Sequence, residues 1–376
     1  MSQDVPDRNP FRGLLPLTKA HPLLQHIIVA ASAAHMSNLV KASSPVGSDG
    51  AISFSYERAS RNALRDALVA KAKALRLMHT AIQDLDSTGG DVALAAALFF
   101  VNVELIESGK HGWRAHLEGA GRIMSLLQPS AKSDDGLRDY LLSDCFIYFI
   151  LASAFMPMAH TMQNYFEAEQ IPLILGKAAD NSYLCCPPEI LQILHSASQL
   201  SNVPPEVMSP EDVIAAGVSL VQQAQEFDIE SWASTIHSIS YLKSVPLESR
   251  IHAGCAHRLA ACLYILQAVP EAANVLDPKI SETLSRDVFD HLSKIPEDDP
   301  NFKATSWPTF IAGAGTLDGT KRVWVMDRLQ RLVISCPWGF LYTAMEALPV
   351  IWGLEDKGSH NWLQALKDPD LNFLLV

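Results

Sequence analysis

Asp134, Asp135 and Asp139 form a DDxxxD string. Closely spaced carboxylates of this kind are the oxygen ligands a hard cation such as Mg²⁺ takes when it is held against a diphosphate. The string stands where a loop passes into a helix, and acids at that position also favour a helix N-terminus. A second metal motif, Asn or Asp followed at fixed steps by Ser or Thr and Glu, has no match in the chain. A different chemistry is open to Trp113 and His116, three apart at a helix start and followed by Gly119 and Gly121. There His116 is either a polar handle in a ligand pocket or a buried ring satisfied by a carbonyl or by Glu104 or Glu107. Trp307, Trp324, Trp338, Trp352 and Trp362 crowd the end of the chain. Rings of that size act first as core, but pockets between helices are lined by aromatics. Trp307 with Phe310 is therefore the second candidate ligand-contacting group.

Other catalytic templates are absent: there is no GxSxG, HExxH, P-loop or GxGxxG. The pairs His252/His257 and His111/His116 are five apart, about 140° round a helix, a poor arrangement for two ligands. His252 and Cys255 are better spaced but lack further ligands, and read as packing residues. The six cysteines include no Cys-x2-Cys pair, so neither a disulfide framework nor a zinc cluster is expected. Cys255 and Cys262 lie two helical turns apart, on one apolar face with Leu259 and Leu266.

The elements that must position these residues are helices. From Arg61 to Asp86 the residues Leu64, Leu68, Leu75, Met78, Ile82 and Leu85 recur at three- and four-residue steps opposite Arg65, Lys73, Arg76 and Gln83. This predicts an amphipathic helix packed through its leucines. Gly89-Gly90 ends it, and Asp91 can cap the next helix, which is apolar nearly all round and so central. Ser209-Pro210-Glu211-Asp212 and Asp277-Pro278 repeat the cap-plus-proline start.

About a dozen helices are expected, near 21–41, 57–87, 91–108, 112–128, 137–168 with a break at Pro157, 187–199, 210–227, 230–243, 247–268, 278–294, 317–335, 338–353 and 359–367. No period-two alternation calls for a sheet. The expected fold is all-α, an irregular multi-helix bundle of helical hairpins forming one domain, 1–376, with a soft subdivision into 9–200 and 210–376. Candidate loops are 42–55, 128–136, 201–209 and 295–308.

Hydrophobic residues make up 48% of the 376 and charged residues 19%, a globular composition. The formal net charge of −12 weighs against a nucleic-acid surface, since affinity for phosphates comes from Lys and Arg. The N-terminus lacks the pattern of a signal peptide. The longest uncharged apolar run, Cys145 to Ala159, contains Pro157 and is shorter than the roughly 20 residues that span a bilayer. An intracellular chain without a membrane span is expected.

Several segments in order carry a resemblance: Asn9-Pro10-Phe11-Arg12; His21-Pro22-Leu23-Leu24 leading to Ala33-Ala34-His35; Glu104 with Gly109, Trp113, His116 and Gly119-Ala120; Trp307-Pro308-Thr309-Phe310-Ile311-Ala312-Gly313; Arg322-Val323-Trp324-Val325; and Leu348-Pro349-Val350-Ile351-Trp352. Together they resemble the α-helical regulatory region of fungal transcription factors that carry a binuclear zinc cluster, here without the cluster. The resemblance implies a nuclear regulator, not an enzyme, that senses a hydrophobic small molecule or a partner protein and modulates metabolic or secondary-metabolite genes. The departure from the family's pattern, no zinc cluster and no basic linker, implies no direct DNA contact by this chain; no cofactor is expected, and a homodimer is a possible partner state. The alternative is an all-α, Mg²⁺-dependent enzyme on isoprenoid diphosphates, similar to class I terpene cyclases and using Asp134, Asp135 and Asp139. A pure dimerisation module, marked by an exposed apolar helix face, is a third reading.

Overall fold

Local sequence punctuates the chain into helices at nearly the expected places. The computed structural model describes residues 10–42, 50–127, 136–156, 170–178, 184–237, 246–355, 361–368 and 370–376. Among them there is no strand. The α-helices are α1 Pro22–Ala42, α2 Gly50–Ala81, α3 Leu85–Thr88, α4 Gly90–Glu107, α5 Trp113–Leu126, α6 Gly136–Ser153, α7 Gln170–Ala178, α8 Pro188–Leu200, α9 Pro210–Glu226, α10 Ile229–His237, α11 Leu247–Ala268, α12 Glu271–Leu276, α13 Ile280–Ser293, α14 Ser306–Ala314, α15 Gly319–Ser335, α16 Gly339–Glu355 and α17 Trp362–Leu366. The fold is all-α, with more helices than the expected dozen. The additions are α3, α7, α12 and α14: α3 falls at the end of the helix expected at 57–87, which stops at Ala81 rather than at Gly89-Gly90; α7 and α12 lie in gaps between expected helices; and α14 begins at the end of the loop expected at 295–308. Pro308 does not exclude α14, because in the first helical turn the N–H that proline lacks would have had no partner. α2 begins at Gly50, inside the segment read as a loop, and Pro157 lies outside the described residues.

The chain divides into two compact units. Among the described residues, one is formed by those of 10–145 with Cys336–Thr343, and the other by those of Phe146–Ser335 and Ala344–Val376. Residues 201–209 lie within the second.

In the first unit, α4 is the central helix. Its residues Val92 to Leu98 and Phe100 to Ile106 are buried on every side, as an all-apolar helix requires. Its N-cap is Gly89, not Asp91. Asp91, in the first turn, instead accepts both Arg138 Nε (2.7 Å) and Nη2 (2.8 Å), which ties the start of α6 to the start of α4. α1 packs on α2 and α4. Among the described residues α1 is the one helix long and apolar enough, by length and composition, to cross a membrane, yet here Leu23, Leu24, Ile27, Ala30 and Ala34 are buried.

The packing of α2 overturns the expectation for its leucines. Leu68 and Leu75 are exposed, as is Ile82 in the turn just past the helix, and the buried ridge is Ser60, Ala67, Ala70, Ala74 and Ala81. A ridge of small side chains lets two helices approach closely. Backbones that near bring Ser37 of α1 and Ser60 of α2 within reach of each other's carbonyl oxygens, at 3.0 Å in both directions.

In the second unit α11 is central, with α8, α9, α10, α13, α14 and α17 packed around it. Cys255 and Cys262 lie buried on it with Leu259 and Leu266, as their spacing predicts. Tyr264 donates to the Ala154 carbonyl at 2.7 Å. The last residues, Phe373 to Val376, are buried; Asn372 Nδ2 donates to the carbonyls of Phe155 (2.7 Å) and Leu366 (3.0 Å), and Ser306 donates to the Val376 carbonyl.

Candidate functional site

Between α4 and α5 the chain reverses through Ser108 to Gly112. The reversal uses two glycines in the left-handed region, Gly109 at φ 72° and Gly112 at φ 73°. Gly109 N–H closes the end of α4 on the Glu104 carbonyl at 2.7 Å. A Cβ on Gly112 would lie 2.4 Å from Glu104 Oε1, so the position requires glycine for space as well as for φ. The turn lays the start of α5 against Glu104. Trp113 is fully enclosed. The His116 ring stacks on Phe100, with centroids 4.7 Å apart at 14°, and its Nε2 is 3.7 Å from Glu104 Oε1.

Lys71 reaches the same carboxylate from α2. Its Nζ lies 2.8 Å from Glu104 Oε1 and 2.7 Å from Glu107 Oε2. Burial works to raise the Glu104 carboxyl, but the His116 ring and the Lys71 ammonium outweigh it and hold the group below the usual carboxylate range. Burial likewise works to lower Lys71, and the two carboxylates reverse the sign. Glu107 Oε1 is buried with no hydrogen-bond partner among the described residues. The close approach continues at the start of α16, where Gly339 leaves no room for a Cβ against the Glu107 carbonyl and Thr343 Oγ1 donates to the Ser108 carbonyl at 2.7 Å. The cluster joins α2, α4 and α5 through a lysine shared by two carboxylates. It contains no nucleophile poised beside a base.

The second candidate group belongs to the other unit. Trp307 lies parallel to His257, with ring centroids 6.1 Å apart. His257 Nε2 is 2.9 Å from the Ala304 carbonyl, and burial lowers the ring to about 4, so it is neutral at physiological pH. Phe310 meets Phe155 and Phe373 edge-on. Nearby, Trp352 Nε1 donates to the Gly313 carbonyl at 2.9 Å and Arg322 lies over the Trp352 ring. Arg328 is buried against the faces of Phe302 and Trp324. It donates to the Ile295 carbonyl (3.3 Å) and Thr305 Oγ1 (3.1 Å). Burial lowers it to about 10, so it remains a cation.

The residues singled out by sequence thus fall into separate places. Trp113, Trp307 and Phe310 are 2%, 1% and 0% exposed, so a ligand would reach them only by displacing their neighbours. His116 is the candidate with an open edge. Asp139 stands in the first turn of α6, while Asp134 and Asp135 lie outside the described residues. Among the described residues no group of three or more His, Cys, Asp or Glu is arranged to hold a metal ion. His252 faces His291, with their Nδ1 atoms 2.9 Å apart. Cys185 and Cys186 are buried, and burial pushes Cys185 up to about 11, which makes it a poor nucleophile.

Lys71 and Arg328 were missed by sequence reasoning, though each carries a signal. Lys71 interrupts the apolar register between Leu64 and Met78, and Arg328 interrupts the one formed by Val325, Leu329 and Leu332. A cation inside an apolar stripe implies a buried partner.

Comparison with known proteins adds a family. The model of the fungal specific transcription factor domain matches residues 2–376. The chain is 35% identical, over 399 residues, to the acriflavine sensitivity control protein acr-2 of Neurospora crassa, a match covering 100% of this chain and 64% of that protein. The chain therefore spans less than two thirds of the length of the curated relative it matches. No solved structure matches.

Proposed function

We infer the function of this chain from its family: it belongs to the fungal specific transcription factor domain family, and its role is that of a regulatory module in a fungal transcription regulator. The observation that carries this reading is the family match over residues 2–376. The finer reading is that the module receives a signal, a hydrophobic small molecule or a partner protein, and converts it into altered transcription of metabolic or secondary-metabolite genes in the nucleus. The name of the relative concerns sensitivity to acriflavine, which favours small compounds as the signal. His116, at the edge of the Lys71–Glu104–Glu107 cluster, is the residue through which we would look for a ligand first. The net charge of −12 supports a module that leaves DNA contact to other parts of a regulator.

Fusing the chain to a heterologous DNA-binding domain and reading a reporter gene tests the proposal. A several-fold change in transcription relative to the DNA-binding domain alone is expected, with a further change on adding acriflavine. A fusion indistinguishable from the DNA-binding domain alone overturns it.

A further inference from the structure

Two arginines are buried among the described residues, Arg328 at 6% and Arg250 at 5% exposure, and their surroundings differ in kind. Arg328 is satisfied by two aromatic faces, a carbonyl and a hydroxyl. Arg250 is not. Its Nε is enclosed without a hydrogen-bond partner, and among the described residues no carboxylate forms an ion pair with its guanidinium and no aromatic ring lies beneath it.

The residues around Arg250 do not supply the missing charge. Asp299 lies near it, since both act on the Cys185 thiol, but the Asp299 carboxylate accepts from Ser249 Oγ (3.0 Å) and the Asn301 N–H (2.7 Å). Burial pushes Cys185 up to about 11 against the pull of Arg250, so the thiol is neutral. A buried carboxyl escapes such a position by taking up a proton, as Asp144 does when burial raises it to about 7. A guanidinium has no such exit, because it stays charged at any physiological pH. A buried cation that neither pairs nor neutralises calls for a bound anion.

Its place on the helix acts in the same sense. Arg250 stands near the start of α11, where Pro246 precedes Leu247 and no side chain caps the first turn. Long side chains on a helix lean back toward its N-terminus, which lays the guanidinium over that turn, where amide N–H groups and the helix dipole also favour an anion. With Asp299 already bringing one negative charge, a monoanion suits the site better than a phosphate dianion. The planar fork of a guanidinium matches a carboxylate.

We propose that Arg250 and the first turn of α11 form a binding site for the carboxylate of a small molecule. An arginine with so little open surface admits a small ligand and not the face of a folded partner. The site belongs wholly to the second unit, and it rests neither on His116 nor on the regulatory reading above.

Calorimetric titration and thermal unfolding of the whole chain at constant ionic strength in chloride test this, with acetate and benzoate as probes and acetamide and benzamide as uncharged controls. The carboxylates are expected to bind saturably and to raise the melting temperature, and the amides to do neither. In Arg250→Met the dissociation constant for benzoate rises at least about tenfold, the loss of one charge-assisted hydrogen bond. In chloride alone that variant melts no lower than the wild type, because Arg250 has no protein partner to lose. Asp299→Asn removes the neighbouring negative charge, keeps an acceptor for Ser249 and Asn301, and tightens benzoate binding. No binding of either carboxylate, equal binding by Arg250→Met, or tighter binding of inorganic phosphate than of benzoate each overturns the proposal. So does an Arg250→Met chain that unfolds or melts lower in chloride, since the protein itself would then satisfy the arginine.

Discussion

Ser37 and Ser60 each donate a side-chain hydrogen bond to the other's backbone carbonyl, both at 3.0 Å, with the two hydroxyl oxygens 3.1 Å apart. Such reciprocity is possible only where two helix backbones nearly touch. It explains why α2 turns alanines rather than leucines toward α1: a leucine on that ridge would hold the helices apart and leave both hydroxyls buried without partners.

The ridge therefore responds to substitution in the opposite sense to its sequence pattern. Ala74→Leu, at a site with no exposed surface, is expected to cost about 1–3 kcal/mol by overpacking. Leu68→Ala, on the exposed face, is expected to change the stability of dilute protein by no more than about 0.5 kcal/mol. Urea denaturation of the two variants side by side decides the matter. A larger loss in Leu68→Ala would mean that the leucines are the buried face.

The Lys71–Glu104 pair should behave as a buried ion pair. Their side chains are 15% and 7% exposed. Removing one partner is expected to cost about 3 kcal/mol, because the other charge is left uncompensated. A double-mutant cycle of Lys71→Met and Glu104→Gln should return a coupling of at least about 1 kcal/mol. Gly112→Ala should disturb the same pair, since its Cβ would strike the Glu104 carboxylate. Additive single effects would show that Lys71 and Glu104 act independently.

Two opposed burial effects should act on stability in the same window, roughly pH 4 to 7. Burial lowers His195 and His257 from 6.5 to about 4. Each contributes stability that is present above pH 6.5 and lost as the pH falls toward 4, about 3 kcal/mol apiece. Asp144 is the reverse case, since burial raises it from 3.8 to about 7 against the hydrogen bond it accepts from Tyr140. Its contribution is present in full below pH 3.8 and lost as the pH rises through 7. Asp144→Asn should therefore stabilise the protein at pH 8, by up to about 4 kcal/mol. Thermal melts from pH 5 to pH 8 check both limbs; no gain in Asp144→Asn at pH 8 would put its carboxyl in a more polar setting.

Gly313 and Val325 should show compensation. A Cβ on Gly313 would lie 2.6 Å from Val325 Cγ1, so Gly313→Ala is expected to cost about 1–3 kcal/mol and to lengthen the Trp352 hydrogen bond to the Gly313 carbonyl. Adding Val325→Ala should restore part of the loss. Chemical denaturation and tryptophan fluorescence would read the two effects. A double variant worse than the sum of the singles would place the strain elsewhere.

Much of the architecture was legible in the residues. Ser209-Pro210 starts α9, the bounds of α11 fall at the expected residues, and Cys255 and Cys262 share the face their spacing assigns. Capping, proline geometry and the 3.6-residue period act within a few residues of chain, so they can be read from it. The candidate ligand residues were legible only as residue types. That Trp113 and Phe310 are enclosed while His116 keeps an open edge depends on chain segments distant in sequence.

What the sequence by itself determined is the class of fold, the approximate helix bounds and, through ordered residues from Phe11 to Trp352, a family likeness. The tertiary structure decided which face of each helix is inside. On α2 both an alanine ridge and a leucine ridge are periodic, and periodicity alone favours the larger side chains. The closer approach allowed by alanine, with Ser37 and Ser60 bonded across it and Lys71 held by Glu104 and Glu107 on the neighbouring helix, selected the smaller. Burial is a property of the partner surface as much as of the helix, and no local pattern contains the partner.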